Sequence, residues 1–341
     1  MTAPQWRRLA AVALVAAGAV PVTSIASLPS LPSLPSLPVA LQGAVTRPVA
    51  LPPSLPPSLL AAREGNRWRT WWRSEHAPAR WTGRAELAEH VTWRPVAPGM
   101  AWGAIELAGS GEAWRTDVIV VLIDPRRARL ALDTAFTRAL RRDWSLDRVP
   151  EAARVAVNAG QFVADLPWGW VVLDGKQYLP PGRGPLASAF VIDTGGHVRW
   201  QHGPVAAAQP GVAWAFQSYP TLLDSGRISP ALTRADAGID VFHRDARLAI
   251  GTRPDGTLVI AMTRFGALGE RLGMVPFGLT TPEMAAVMGA LGTTDAVLLD
   301  GGISAQLLVR ESGVETRRWA GIRRVPLALL VYPRSAATRG N

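Results

Sequence analysis

From residue 117 to residue 332 the chain carries a succession of short apolar runs, half of them closed by Gly or Asp-Gly. The runs fall at 117–123, 129–133, 154–157, 169–175, 189–196, 219–226, 248–256, 257–263, 296–299 and 324–332. Segments this short, bounded by turn residues, suit strands and are too brief for helices. The first two, separated by Asp124-Pro125-Arg126, read as a hairpin. One helix stands out. Thr281 is its expected N-cap and Pro282 its first helical residue. Met284, Val287, Met288 and Leu291 make an apolar stripe, and Gly292 stops it. The expected class is α+β: a β-rich, mostly antiparallel sheet with a few flanking helices.

The N-terminal third reads differently. Arg7 and Arg8 precede twelve apolar residues at 9–20, and Ser24-Ile25-Ala26 offers small residues for cleavage. That run is too short to span a bilayer and fits a secretory signal over residues 1–26. An uncleaved segment would instead tie the protein to the membrane. Residues 27–60 repeat Ser-Leu-Pro and Leu-Pro-Pro-Ser. Proline at that frequency favours a polyproline II tether over helix or sheet. Seven of the 14 Trp then fall between Trp68 and Trp114, which marks 61–114 as a segment of its own. Trp68, Trp71 and Trp72 stand at i, i+3 and i+4, the spacing of one helical face. The main domain is expected over 115–335.

Composition closes off several chemistries. The chain lacks cysteine, which removes disulfides, thiolate metal sites and cysteine nucleophiles. The net charge of +10 comes from Arg residues scattered along the chain. A nucleic-acid binder concentrates its charge on one element, so no nucleic-acid partner is expected. The five His show no metal-ligand spacing, so the sequence assigns no metal ligands and calls for no cofactor, and it leaves the metal requirement open.

Three segments carry candidate chemistry. In Leu298-Leu299-Asp300-Gly301-Gly302-Ile303-Ser304-Ala305-Gln306 a buried strand ends in a carboxylate. Gly301 and Gly302 permit a close backbone approach or an anion-binding nest, and Ser304 and Gln306 add neutral hydrogen-bonding groups. In Asn158-Ala159-Gly160-Gln161-Phe162, Asn158 and Gln161 are placed to orient sugar or phosphate oxygens. In His243-Arg244-Asp245-Ala246-Arg247, Arg247 offers a fork for phosphate and His243 a titratable ring. Each also has a plain reading, as a turn or a surface salt-bridge cluster.

Taken in order, these segments resemble the phosphodiester glycosidase family, which includes bacterial exopolysaccharide-biosynthesis members. Asn158-Ala159-Gly160-Gln161-Phe162 is similar to the family's Asn-Gly-Gly-Phe-Phe, and Asp174-Gly175 to its next turn. Arg247-Leu248-Ala249-Ile250-Gly251 looks like Arg-Thr-Ala-hydrophobic-Gly. The helix opening with Thr281-Pro282-Glu283 precedes Leu299-Asp300-Gly301-Gly302-Ile303-Ser304, which is similar to Leu-Asp-Gly-Gly-Gly-Ser. Ala159, Gln161, Leu248 and Ile303 depart from the pattern.

The resemblance implies an exported glycosidase-type hydrolase acting on a sugar-1-phosphodiester or a related envelope or exopolysaccharide linkage. Such a reaction needs a carboxyl for proton or oxocarbenium charge and cationic donors for phosphate. Asp300 is the expected acid/base or nucleophile, Glu283 the second carboxylate and His243 a further titratable group. Arg247, Asn158, Gln161, Gly301, Gly302, Ser304 and Gln306 are the expected binding set. The substrate would be a carbohydrate or phosphorylated glycan, in the periplasm or outside the cell. The rival is a non-catalytic polysaccharide-binding or assembly protein. It gains if Asn158, Arg247 and Asp300 lie far apart.

Overall fold

A computed structural model describes residues 57–135, 143–205, 209–234, 239–266 and 277–334. The expected signal over 1–26 and most of the tether lie outside the described residues. The regular structure of the described part is mostly strand, with one α-helix among the described residues. One sheet of ten strands runs from Arg227–Ile228 through Thr221–Asp224, Asp295–Leu299, Leu248–Thr252, Leu258–Phe265, Thr116–Ile123, Met100–Gly109 and Leu59–Glu64 to Arg67–Arg73. Arg94–Ala97 pairs alongside Met100–Gly109. A five-stranded sheet orders Lys176–Leu179, Val171–Leu173, Val212–Ser218, Ser188–Asp193 and Val198–His202. Another orders Arg317–Trp319, Leu307–Val309, Val155–Asn158, Leu327–Pro333 and Ala128–Thr134. The pairings within these sheets are antiparallel, as the short runs and turn residues predict.

Alternation of side chains divides the large sheet's two faces. Ile119, Val121, Ile250, Ile260, Val297 and Leu299 face the two smaller sheets and pack with Val157, Phe190, Phe216, Leu307 and Leu329. Val118, Val120, Ala249, Val259, Ala261 and Leu298 face the other way, onto the helix Thr281–Ala290. Burial on both faces explains why these strands read as unbroken apolar runs.

Four expectations change. The runs at 117–123 and 129–133 form strands but not a hairpin. Thr116–Ile123 has partners on both edges in the large sheet, whereas Ala128–Thr134 pairs with Leu327–Pro333 in another. The helix N-cap is Thr280, one residue earlier than expected, in a capping box with Glu283. Burial reaches every residue of that helix except Pro282, so the apolar stripe is part of an all-round core contact. Arg67–Arg73 is a strand, not a helix: it returns from Leu59–Glu64 through a two-residue turn with Gly65 at φ +58°. Trp and Thr favour a pleated surface, and of the three Trp only Trp72 is buried. Finally, the expected boundaries at 60 and 114 do not separate folded units. Leu59–Glu64 pairs with Met100–Gly109, and Leu60 is fully buried.

Candidate active site

Antiparallel pairing brings the two carboxylate-bearing turns to one end of the large sheet. Leu248 and Leu299 are direct ladder partners. Arg247 enters one strand and Asp300 leaves the other, so they flank the same rung. The turns then lock together: Gly302 N–H donates to Ala246 O at 2.6 Å. A Cβ on Gly301 would stand 2.5 Å from that same carbonyl. At Gly302, where φ is +55°, a Cβ would stand 2.8 Å from Asp245 Oδ2. The glycines therefore let the Asp300 turn press against 245–247. The amide of Gly302 is engaged there and does not serve as a free nest.

Asn158 fixes the turn from its other side. Its Nδ2 donates to Asp300 O at 2.9 Å, its Oδ1 accepts from Gln306 N at 2.8 Å, and the residue is fully buried. Asp300 N–H also donates to Gly160 O at 2.9 Å. Asn158, Arg247 and Asp300 thus converge, but Asn158 is a clamp on backbone and not a surface for substrate. Gln306 is similarly engaged, with Nε2 donating to Arg323 O at 3.0 Å, and Ser304 is buried. Arg264 adds a third clamp. Nearly fully buried, it donates to Ala305 O at 2.7 Å and Ala320 O at 3.1 Å, and burial lowers its pKa to about 10.

Around this core stand the groups with exposure. Gln161 Nε2 donates to Tyr219 O at 3.1 Å, and Gln161 O accepts from Trp168 N. The Trp168 and Tyr219 rings meet edge to face at 4.6 Å beside Gln161. Arg247 is held by Leu279 O at Nε, 2.8 Å, and by His243 O at Nη2. Among the described residues its Nη1 makes no hydrogen bond. Burial pushes the Arg247 pKa down, opposed by the neighbouring Asp245 carboxylate.

Asp245 is the carboxylate that sequence reasoning passed over. It sits against Gly302 and beside Arg247. Burial raises its pKa above the ordinary value, and Arg247, the Ala246 amide and His243 only partly offset that. The available signal was its place two residues before Arg247. His243 is mostly exposed, with Nε2 at 3.8 Å from Asp245 Oδ2. Glu283, expected as the second carboxylate, is elsewhere engaged. Fully buried, it receives Arg244 through two bonds of 2.6 and 2.7 Å, Thr280 N–H at 2.9 Å and the Ser58 hydroxyl. That pattern makes it a buried anchor for the helix start.

A strand-end carboxylate, a second carboxylate with a raised pKa and a fixed guanidinium are the kinds of group that glycoside hydrolysis calls on. Residues 151–332 match the phosphodiester glycosidase family, and the chain belongs to that family. Members of this family are hydrolases of phosphodiester glycosidic linkages. Among solved structures, the chain is similar to the catalytic domain of zebrafish N-acetylglucosamine-1-phosphodiester alpha-N-acetylglucosaminidase, auto-inhibited by its pro-peptide. Identity is 15%, the TM-score 0.54, and the match covers 76% of this chain and 94% of that one. A hypothetical protein from Synechocystis matches at 18% identity and a TM-score of 0.43, covering 81% of this chain and 68% of that one. Among curated proteins none matches the chain.

Proposed function

We propose that this protein is an exported glycosidase that hydrolyses a sugar-1-phosphodiester, or a related linkage, in an envelope polysaccharide or exopolysaccharide. The observation that carries the reading is the convergence of Asp300, Asp245 and Arg247 across the Leu248–Leu299 rung. A pure binding protein has no need of two carboxylates beside a guanidinium. Export is supported by Arg7-Arg8 and the twelve apolar residues after them.

In the proposed reaction, water attacks the anomeric carbon and the bond from that carbon to the phosphate oxygen breaks. The electron pair leaves with the phosphomonoester. Asp300 takes the proton of the attacking water. Asp245, whose raised pKa favours the carboxylic acid, hands a proton to the leaving oxygen. Arg247 Nη1 steadies the negative charge that builds on the phosphate. Trp168 and Tyr219 offer a wall for the apolar face of a sugar ring.

The test compares variants on a synthetic sugar-1-phosphodiester and on a matched glycoside without phosphate. Asp300→Asn lowers kcat by about 10²-fold or more on both while the melting temperature holds, the usual size of an acid–base contribution. Arg247→Lys keeps the charge but loses the fork, and lowers kcat/KM selectively on the phosphodiester. A folded, fully active Asp300→Asn protein would remove Asp300 from the chemistry. Equal losses on both substrates would remove Arg247 from the phosphate role.

A further inference from the structure

At the opposite end of the Asp295–Leu299 strand from Asp300, three side chains from separate segments meet. His202 closes the Val198–His202 strand, Asp224 closes Thr221–Asp224, and Asp295 opens its own strand. His202 Nε2 lies 3.0 Å from Asp295 Oδ1 and 3.9 Å from Asp224 Oδ1, and one ligand atom from each lies within 4.8 Å of the others. The sequence shows no ligand spacing here because the three come together only through strand packing.

The protons can be counted. Ser188 Oγ touches His202 Nδ1 at 2.6 Å and Thr221 Oγ1 at 2.6 Å, and Thr221 Oγ1 touches Leu186 O at 2.8 Å. Those three contacts share two hydroxyl protons. Leu186 O only accepts, so it takes the proton of Thr221. Ser188 must then donate to Thr221 and accept from His202, which places a proton on Nδ1. That leaves Nε2 as the ring atom facing the two carboxylates, in hydrogen-bond contact with Asp295 Oδ1 at 3.0 Å. Two carboxylates gathered at one ring nitrogen need positive charge between them, from a second ring proton or from a bound cation.

A histidine whose Nδ1–H is committed to a buried partner, with Nε2 facing carboxylates, has the orientation found at metal centres. Asp295 is oriented too: its Oδ1 accepts from Ser225 N at 3.1 Å and its Oδ2 from Thr294 Oγ1 at 3.0 Å. In a tetrahedral site with bonds of about 2.1 Å the ligand atoms lie about 3.4 Å apart. The observed 3.0 and 3.9 Å separations bracket that value.

We propose that His202 Nε2, Asp224 and Asp295 bind one divalent transition-metal cation of the Zn²⁺ class, a site that pins the Val198–His202 edge to the large sheet. Asp295 and Asp300 are separated by the length of one strand, on the order of 17 Å. The cation is structural, and the site stands whether or not the glycosidase reading holds.

The experiment uses the full chain, stripped with a chelator and dialysed. Zn²⁺ alone is titrated, with Mn²⁺ as a second probe, by calorimetry and thermal melting. One equivalent binds, and the melting temperature rises with free metal. Asp224→Asn is the cleanest variant, because Asp224 is exposed and the change leaves the core intact. It weakens binding at least about tenfold, as does Ser188→Ala, which frees the ring tautomer. His197→Ala, which alters an exposed His–Asp pair elsewhere, leaves binding unchanged. Metal-independent melting overturns the proposal. So does binding that survives Asp224→Asn, or nuclear magnetic resonance showing His202 doubly protonated and insensitive to Zn²⁺.

Discussion

Replacing Glu283 by Gln separates two roles for this residue with one measurement. Its side chain is fully buried, and both oxygens are engaged by Arg244 at 2.6 and 2.7 Å. Gln keeps the size and retains the reciprocal cap with Thr280, since either Glu or Gln completes such a box. The substitution therefore isolates the charge. Removing one member of a buried ion pair leaves the other uncompensated and costs roughly 3–5 kcal/mol. Arg244 is partly exposed, with 15% of its side-chain surface accessible, so the lower end of that range applies. At about 2–4 °C per kcal/mol for a domain of this size, the melting temperature falls by on the order of ten degrees. Urea unfolding monitored by tryptophan fluorescence reads the loss, and kcat is measured well below the new melting temperature. A large stability loss is expected, with kcat within a few fold of the parent. A protein of unchanged stability with kcat reduced about 10²-fold would place Glu283 in the chemistry and refute the argument.

Two other predictions follow from the same structure. The Asp245 pKa is raised above its unfolded value of 3.8, so its contribution to stability is full below 3.8 and is lost as pH rises through the folded value. Asp245→Asn therefore melts higher than the parent at neutral pH, the gap closing as the pH falls through the folded value, while kcat drops about 10²-fold. A variant that melts lower at neutral pH contradicts this. A chain beginning at residue 57 keeps its melting temperature within a few degrees. One beginning at 61 loses the fully buried Leu60 and about 3 kcal/mol or more in urea unfolding, and equal stability of the two would show that Leu60 is expendable.

The strands were legible because burial on both faces leaves unbroken apolar runs, and Asp124-Pro125-Arg126 was legible as a turn. Which strands pair was not. A turn between two runs looks the same whether the chain folds back beside itself or crosses to another sheet, as it does before Ala128. The Trp68, Trp71 and Trp72 spacing misled because three aromatic positions fit either period, and strand pairing decided. At the site, chain order exposed Asp300 and Arg247 but not their neighbour. Asp245 becomes significant only when Gly302 packs against it. Glu283 pointed the other way, its helix-start position being equally suited to a cap. His202, Asp224 and Asp295 carry no shared motif, so only the packed strands reveal them.

The proposed hydrolysis breaks the bond between the anomeric carbon and the phosphate oxygen. Turnover of a synthetic sugar-1-phosphodiester in oxygen-18 water, followed by mass spectrometry of both products, tests it most directly. One labelled oxygen is expected on the released sugar and none on the phosphomonoester, with the signal lost in a folded Asp300→Asn protein. Label on the phosphate would mean attack at phosphorus, and a folded wild-type protein that releases no sugar would contradict the hydrolase reading itself.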